Sequence, residues 1–145
     1  MDVIEIGMLV IVGSVISLLF FRIIFRMICV RSEHRDGQYI LTSYLSNFYG
    51  VSSKGMKQVR GNGLLYLART AICYEMYVPK KRLEIPLNKI VHIGTTNRHL
   101  GKIGCKLLKV TFKTEQGEET AAWSVNDAEH WIQEINMLRQ QLSSK

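Results

Sequence analysis

Proline is nearly absent, with only Pro79 and Pro86 in 145 residues. That excludes a proline-rich linker or recognition tract. Cysteine is equally sparse. Cys29, Cys73 and Cys105 are odd in number and lack the spacing of a metal site or a disulfide framework. Reduced thiols in a cytoplasmic compartment are therefore expected. The four histidines, His34, His92, His99 and His130, form no H-E-x-x-H, and neither C-x-x-C nor G-x-S-x-G occurs. His99 and Cys105 share one segment as an accidental pair, and Glu115, Glu118 and Glu119 cluster at a solvated hairpin tip. No catalytic residue, metal or cofactor is expected, and the chain does not read as an enzyme.

Acidic residues are also missing from the middle. Between Lys54 and Lys113 thirteen Lys and Arg face only Glu75 and Glu84. From Thr114 onward the balance reverses, with six acids against Arg139 and Lys145. A basic middle suits an anionic membrane surface, or it keeps sheet edges soluble. Its clusters are Lys54, Lys57 and Arg60 in a glycine-rich loop, Lys80, Lys81 and Arg82 on a turn, and Arg98, His99 and Lys102 in a second loop. The eight Lys and Arg among them are the candidate anion-binding residues. Exposed aromatics interleaved with them are few, and membrane tethering argues against nucleic acid as the partner.

What the chain has in excess lies at its start. Ile6 to Phe21 carries no charge, and apolar character continues to Val30, broken only by Arg22 and Arg26. A helix over 3–30 spans roughly 42 Å, enough to cross a bilayer, and the two arginines can snorkel to the interface. The acidic start, Asp2 and Glu5, argues against a secretory signal peptide. Residues 1–31 are read as a transmembrane anchor and 32–38 as a linker. Arg22, Arg26, Arg31 and Arg35 follow the span and only acids precede it. The positive-inside rule then puts the N-terminus outside and the rest in the cytoplasm. Gly13 and Ser17 form a weak small-xxx-small pair, so homo-oligomerisation is conceivable and unsupported. Cys29 sits where palmitoylation acts, or is an inert apolar thiol.

Residues 39–145 read as the domain. Tyr39–Phe48 has strand character, and 51–63 reads as a loop or irregular hairpin. Asn62-Gly63 gives a hairpin-turn signal. Gly61-Asn62-Gly63 is not a phosphate loop, since no G-K-[ST] and no helix follows. Strands are expected near 63–68, 70–78, 82–87 and 89–94. Leu65 and Leu67 share a face, as do Ile72, Tyr74 and Met76, and Leu83, Ile85 and Leu87. Arg98–Lys106 reads as a basic loop. Lys106–Thr114 alternates cleanly, and 115–118 turns into a last strand, 119–125. Asn126 with Glu129 predicts a capped helix, with Trp131, Ile135, Leu138 and Leu142 as its apolar stripe.

Two stretches carry a resemblance. The run from Gly61 to Ile93, with G-x-L-x-L and I-P-L-x-x-I, and the closing AAWSVNDAEHWIQEI resemble GRAM and bacterial pleckstrin-homology-like (PH-like) domains. NFYG (47–50), QVRGNG (58–63), HLGK (99–102) and AAW (121–123) also look like a group of bacterial membrane-anchored PH-like proteins. The resemblance implies a mainly-β barrel of about seven antiparallel strands, in two sheets packed across each other, closed by the C-terminal helix. It also implies a binding module, which contacts anionic lipid headgroups or an acidic peptide, or serves as a protein–protein adaptor in a membrane complex.

Overall fold

The computed structural model describes residues 2–35 and 37–144. Asp36, within the segment read as a linker, lies outside the described residues, as do Met1 and Lys145. The chain divides into two compact units, Met1–Arg35 and Asp36–Lys145.

The first unit is helix α1, Val3–Glu33. Glu5 reaches back to accept the Asp2 backbone N–H at 3.1 Å, which satisfies one of the orphan donors at this end. Ser14 Oγ donates to the Val10 carbonyl at 2.8 Å, so the hydroxyl within the apolar run has an internal partner. By length and composition the helix can cross a membrane, and none of its apolar window is buried. An apolar window exposed in this way has no reason to be stable in water. It ends two residues later than the anchor boundary at 31, so Ser32 and Glu33 belong to the helix and not to the linker.

The second unit is an antiparallel sheet of seven strands: β1 Leu41–Val51, β2 Gly61–Leu67, β3 Ala71–Met76, β4 Lys81–Pro86, β5 Ile90–His99, β6 Lys102–Thr114 and β7 Gly117–Ser124. The order is β4-β3-β2-β1-β7-β6-β5, one continuous sheet in place of the two expected. β1 sits in the middle, paired with β2 on one side and β7 on the other. Alternating residues fill one face. Leu65, Leu67, Ile72, Tyr74, Met76, Ile85, Leu108, Val110, Ala121 and Trp123 form the core with Phe48. Tyr74 and Trp123 ring centroids lie 5.2 and 5.7 Å from that of Phe48, distances at which tilted aromatic pairs attract.

Helix α2, Ala128–Ser143, packs on β5, β6 and the short turn Leu87–Lys89 between β4 and β5. Trp131 and Ile135 are buried, Leu138 packs partly, and Leu142 is exposed. Arg139 Nη2 donates to the Ile90 carbonyl at 2.8 Å, which ties the helix to the start of β5. The cap is Asp127, not Asn126: its Oδ1 accepts the His130 N–H at 3.0 Å. Glu129 pairs instead with Lys106, which holds its carboxyl below the ordinary range.

Two turn assignments fail. Asn62 and Gly63 lie inside β2, paired with Asn47 and Ser46. The basic stretch 98–106 is mostly strand, because β5 and β6 continue as a hairpin whose turn is Leu100-Gly101. Both turn residues have positive φ, 43° and 84°, as a tight reversal requires.

Candidate functional site

The β1–β2 connection is a 3-10 turn over Ser52–Lys57, and one side chain pins it. Gln58 Oε1 accepts the Val51 N–H at 2.8 Å while its Nε2 donates to the Val51 carbonyl at 2.7 Å. Ser52 Oγ accepts the Thr120 N–H at 2.9 Å, which docks the turn on β7. Lys54, Lys57 and Arg60 therefore stand on a braced segment.

The eight candidate cations separate into groups. Lys81 begins β4 and Lys80 precedes it in the turn. Lys81 Nζ lies 5.2 Å from the Phe48 ring centroid, a cation–π distance. Burial pushes its pKa down, and the charge of Lys54 pushes it down further. The charge of Lys54, far away in sequence, thus acts on Lys81.

Arg82 is not with them. Side chains alternate along a strand, and Arg82 faces the opposite side, 3.3 Å from Glu84 and beside Tyr66 and Cys73. The Lys80–Arg82 run therefore does not project as one cluster from a turn, as the sequence led us to expect. Lys57 and Arg98 are exposed, the latter on β5.

Arg60 and Lys102 meet elsewhere. With Asn47, Tyr49, Gly61 and Gly101 they line a cleft of about 450 Å³ between β1 and the β5–β6 hairpin. Lys102 Nζ lies 5.8 Å from the Tyr49 ring centroid. Arg60 Nε and Nη2 are shielded from solvent and have no hydrogen-bond partner among the described residues. Leaving such donors unsatisfied costs about 1–3 kcal/mol each, more for a charged group.

His99, grouped in the sequence with Arg98 and Lys102 but not among the eight candidates, ends β5. Its side chain is buried, and Nε2–H donates to the Gly50 carbonyl at 3.0 Å. Burial lowers its pKa, and the charges of Lys109 and Arg60 lower it further, against the opposing effect of the Gly50 bond. A lowered folded-state pKa for a base means that the unfolded chain takes up the proton first. His99 thus adds stability above its ordinary pKa near 6.5 that is lost as pH falls. The unfolding midpoint should drop between neutral and mildly acidic pH, and His99→Gln should flatten that part of the profile. Parallel profiles in melts at matched ionic strength would contradict this.

Burial also pushes the Cys73 thiol up, which makes it a poor nucleophile. Among the described residues no group of three or more His, Cys, Asp or Glu is placed to hold a metal ion.

No protein-family model and no curated protein matches the chain. Solved structures do. A chain of "The 8S snRNP Assembly Intermediate" aligns with TM-score 0.55 at 14% identity, covering 72% of this chain and 84% of that one. The Vps36 N-terminal PH domain aligns with TM-score 0.55 at 14% identity, covering 74% and 83%. At that identity the likeness is one of fold: a seven-stranded antiparallel sheet with a C-terminal helix, PH-like in architecture.

Proposed function

We propose that this chain is a single-pass membrane protein, anchored by α1 with its N-terminus outside, whose PH-like domain lies in the cytoplasm and holds anionic lipid headgroups on a basic surface. The arginines that follow the apolar run and the acids that precede it support the orientation. One observation carries the binding surface. Lys81 Nζ stands 5.2 Å over the Phe48 ring, where burial and then the charge of Lys54 oppose its protonation, and Lys80 precedes it in the turn. Like charges held together favour an anion between them.

An anchored domain needs little affinity, because the tether supplies a high local concentration. Each lysine near an anionic leaflet contributes about 1 kcal/mol. Replacing Lys54, Lys80 and Lys81 together by Ser should therefore weaken binding of residues 36–145 to phosphatidylserine-containing vesicles by about 100-fold. Arg82→Ser, on the opposite face, should change it little. Flotation at low and high salt reads both, and binding of the wild-type fragment should fade as salt rises. Absence of wild-type binding at low salt would favour an adaptor that contacts only protein.

A further inference from the structure

The sheet has two outer strands, β4 and β5, and they are built in opposite ways. β4 carries Lys81, Arg82, Glu84 and Pro86 in six residues, the charges and proline that keep a strand edge from pairing with another chain. β5 (IVHIGTTNRH) has no lysine, acid or proline, and its one arginine stands next to its end. Among the described strands β5 pairs only with β6. In an antiparallel strand alternate residues turn both backbone groups away from the partner. On the outer side of β5 those groups meet no further strand.

The two ends of β5 are occupied. Arg139 donates to the Ile90 carbonyl at one end. At the other, Thr96 Oγ1 donates to the Arg98 carbonyl at 2.8 Å and accepts the Arg98 N–H at 3.2 Å. The pairing with β6 also slips at both ends, between Ile90 and His92 and between Thr96 and Arg98. Between the slips, His92–Thr96 runs in regular register against Thr111–Leu107. This stretch contains no Lys, Arg, Asp or Glu, and it is centred on Gly94.

That symmetry identifies the occupant. An acidic strand would find no cation in the stretch, whereas a neutral strand with β-branched residues matches it, and β5 is itself such a strand. Two copies laid antiparallel about Gly94 set His92 against Thr96 and Ile93 against Thr95. Gly94 faces its counterpart, and Arg98 falls opposite Ile90, so no like charges meet.

We propose that this chain forms a two-fold dimer in which the β5 edges of two copies pair antiparallel about Gly94 and join their sheets into one. So short a pairing suffices when α1 confines both copies to one membrane. That step rests on the anchoring proposed above, and the pairing does not use the lysine surface.

The test uses the full chain in phosphatidylcholine vesicles, with Cys29→Ser and Cys105→Ser removing the two thiols that are not buried. Resistance to carbonate extraction is established first, so a failed anchor is read apart from failed pairing. Gly94→Cys should then cross-link on oxidation, since facing Cα atoms lie about 4.5–5.5 Å apart, within disulfide range. Among the described residues a Cβ at Gly94 meets only the His92 imidazole, at 3.3 Å. Val91→Cys alone should not cross-link, because its counterpart lies about 20 Å away along the strand. Mixed with Asn97→Cys, which it faces, it should. Energy transfer between differently labelled chains reads the association itself. Gly94→Lys or Gly94→Glu alone sets like charges face to face and should weaken it about tenfold or more. An equal mixture of the two variants should restore it, and Lys80→Ser should leave it unchanged. Should a charged variant fail to fold, the cysteine pairs carry the test. Cross-linking of Val91→Cys equal to that of Gly94→Cys, or transfer that survives Gly94→Lys unchanged, would overturn the proposal and point to contacts along α1. No transfer in the wild type would overturn it too, and would leave the edge to a strand of another protein.

Discussion

Trp131→Ala is expected to cost about 3–5 kcal/mol of domain stability, the range for deleting a buried tryptophan side chain. Trp131 is 5% exposed and belongs to the same core as Ile135, Phe112 and Trp123. It closes the first turn of α2, four residues after the Asp127 cap, so its removal unfastens the helix near where the helix begins. The cavity would open between the helix and the strands it covers, and neither can collapse while Arg139 holds the far end to Ile90. For a domain of this size the loss corresponds to a drop in unfolding midpoint of about 10 °C or more. The variant keeps Trp123 as its one tryptophan, so fluorescence in micelles reports core unfolding. A midpoint within about a degree of wild type would show that α2 does not close this core.

The second large effect is expected at Gly63. A Cβ there would lie 2.3 Å from the Glu75 carbonyl oxygen and 2.7 Å from the Tyr74 ring. Glu75 cannot yield, because its oxygen belongs to the backbone of β3. Tyr74 is fixed as well, since its hydroxyl donates to the Gly61 carbonyl at 2.7 Å. Gly63→Ala should therefore cost about 3 kcal/mol, at the upper end of the range for overpacking. Gly61 is the control. Its Cβ would meet nothing nearer than Met76 Sδ at 3.6 Å, an ordinary contact. Gly61→Ala should shift the midpoint only slightly. Equal effects at the two positions, in chemical denaturation of both variants, would mean that β2 and β3 approach less closely at Gly63 than described.

Those two glycines mark what local sequence conveys and what it does not. Asn62-Gly63 carries the chemistry of a tight turn, yet its reason for glycine is the neighbouring strand, which no short window contains. The alternation in Lys106–Thr114 is of the other kind. Leu108, Val110 and Phe112 are buried and Lys113 is exposed, as a period of two requires. The long apolar run, the strands through 61–94 and the stripe of α2 were legible for the same reason: each is a periodicity within one element.

The candidate surface was legible in composition and not in grouping. Starting β4 at 81 and not at 82 brings Lys81 into the strand, where it and Arg82 take opposite faces. That Arg60 and Lys102 line one cleft depends on strands far apart in sequence, which no local window contains. His99 read as one more loop cation beside Arg98 and Lys102, because its partner is a backbone carbonyl, which has no sequence signature.

The central place of β1 also sets an order in time. Its second partner, β7, begins at Gly117. While the chain is being synthesised, β1 to β4 can pair in sequence as a meander, but the other edge of β1 stays open until some 65 further residues have emerged. At about 5–20 residues per second that is an interval of several seconds. During it an unpaired strand edge is available to other chains. A ribosome that stops short of Gly117 leaves that edge open for good. This domain's exposure to misassembly is thus set by the interval between β1 and β7, and the arrival of β7 closes that edge.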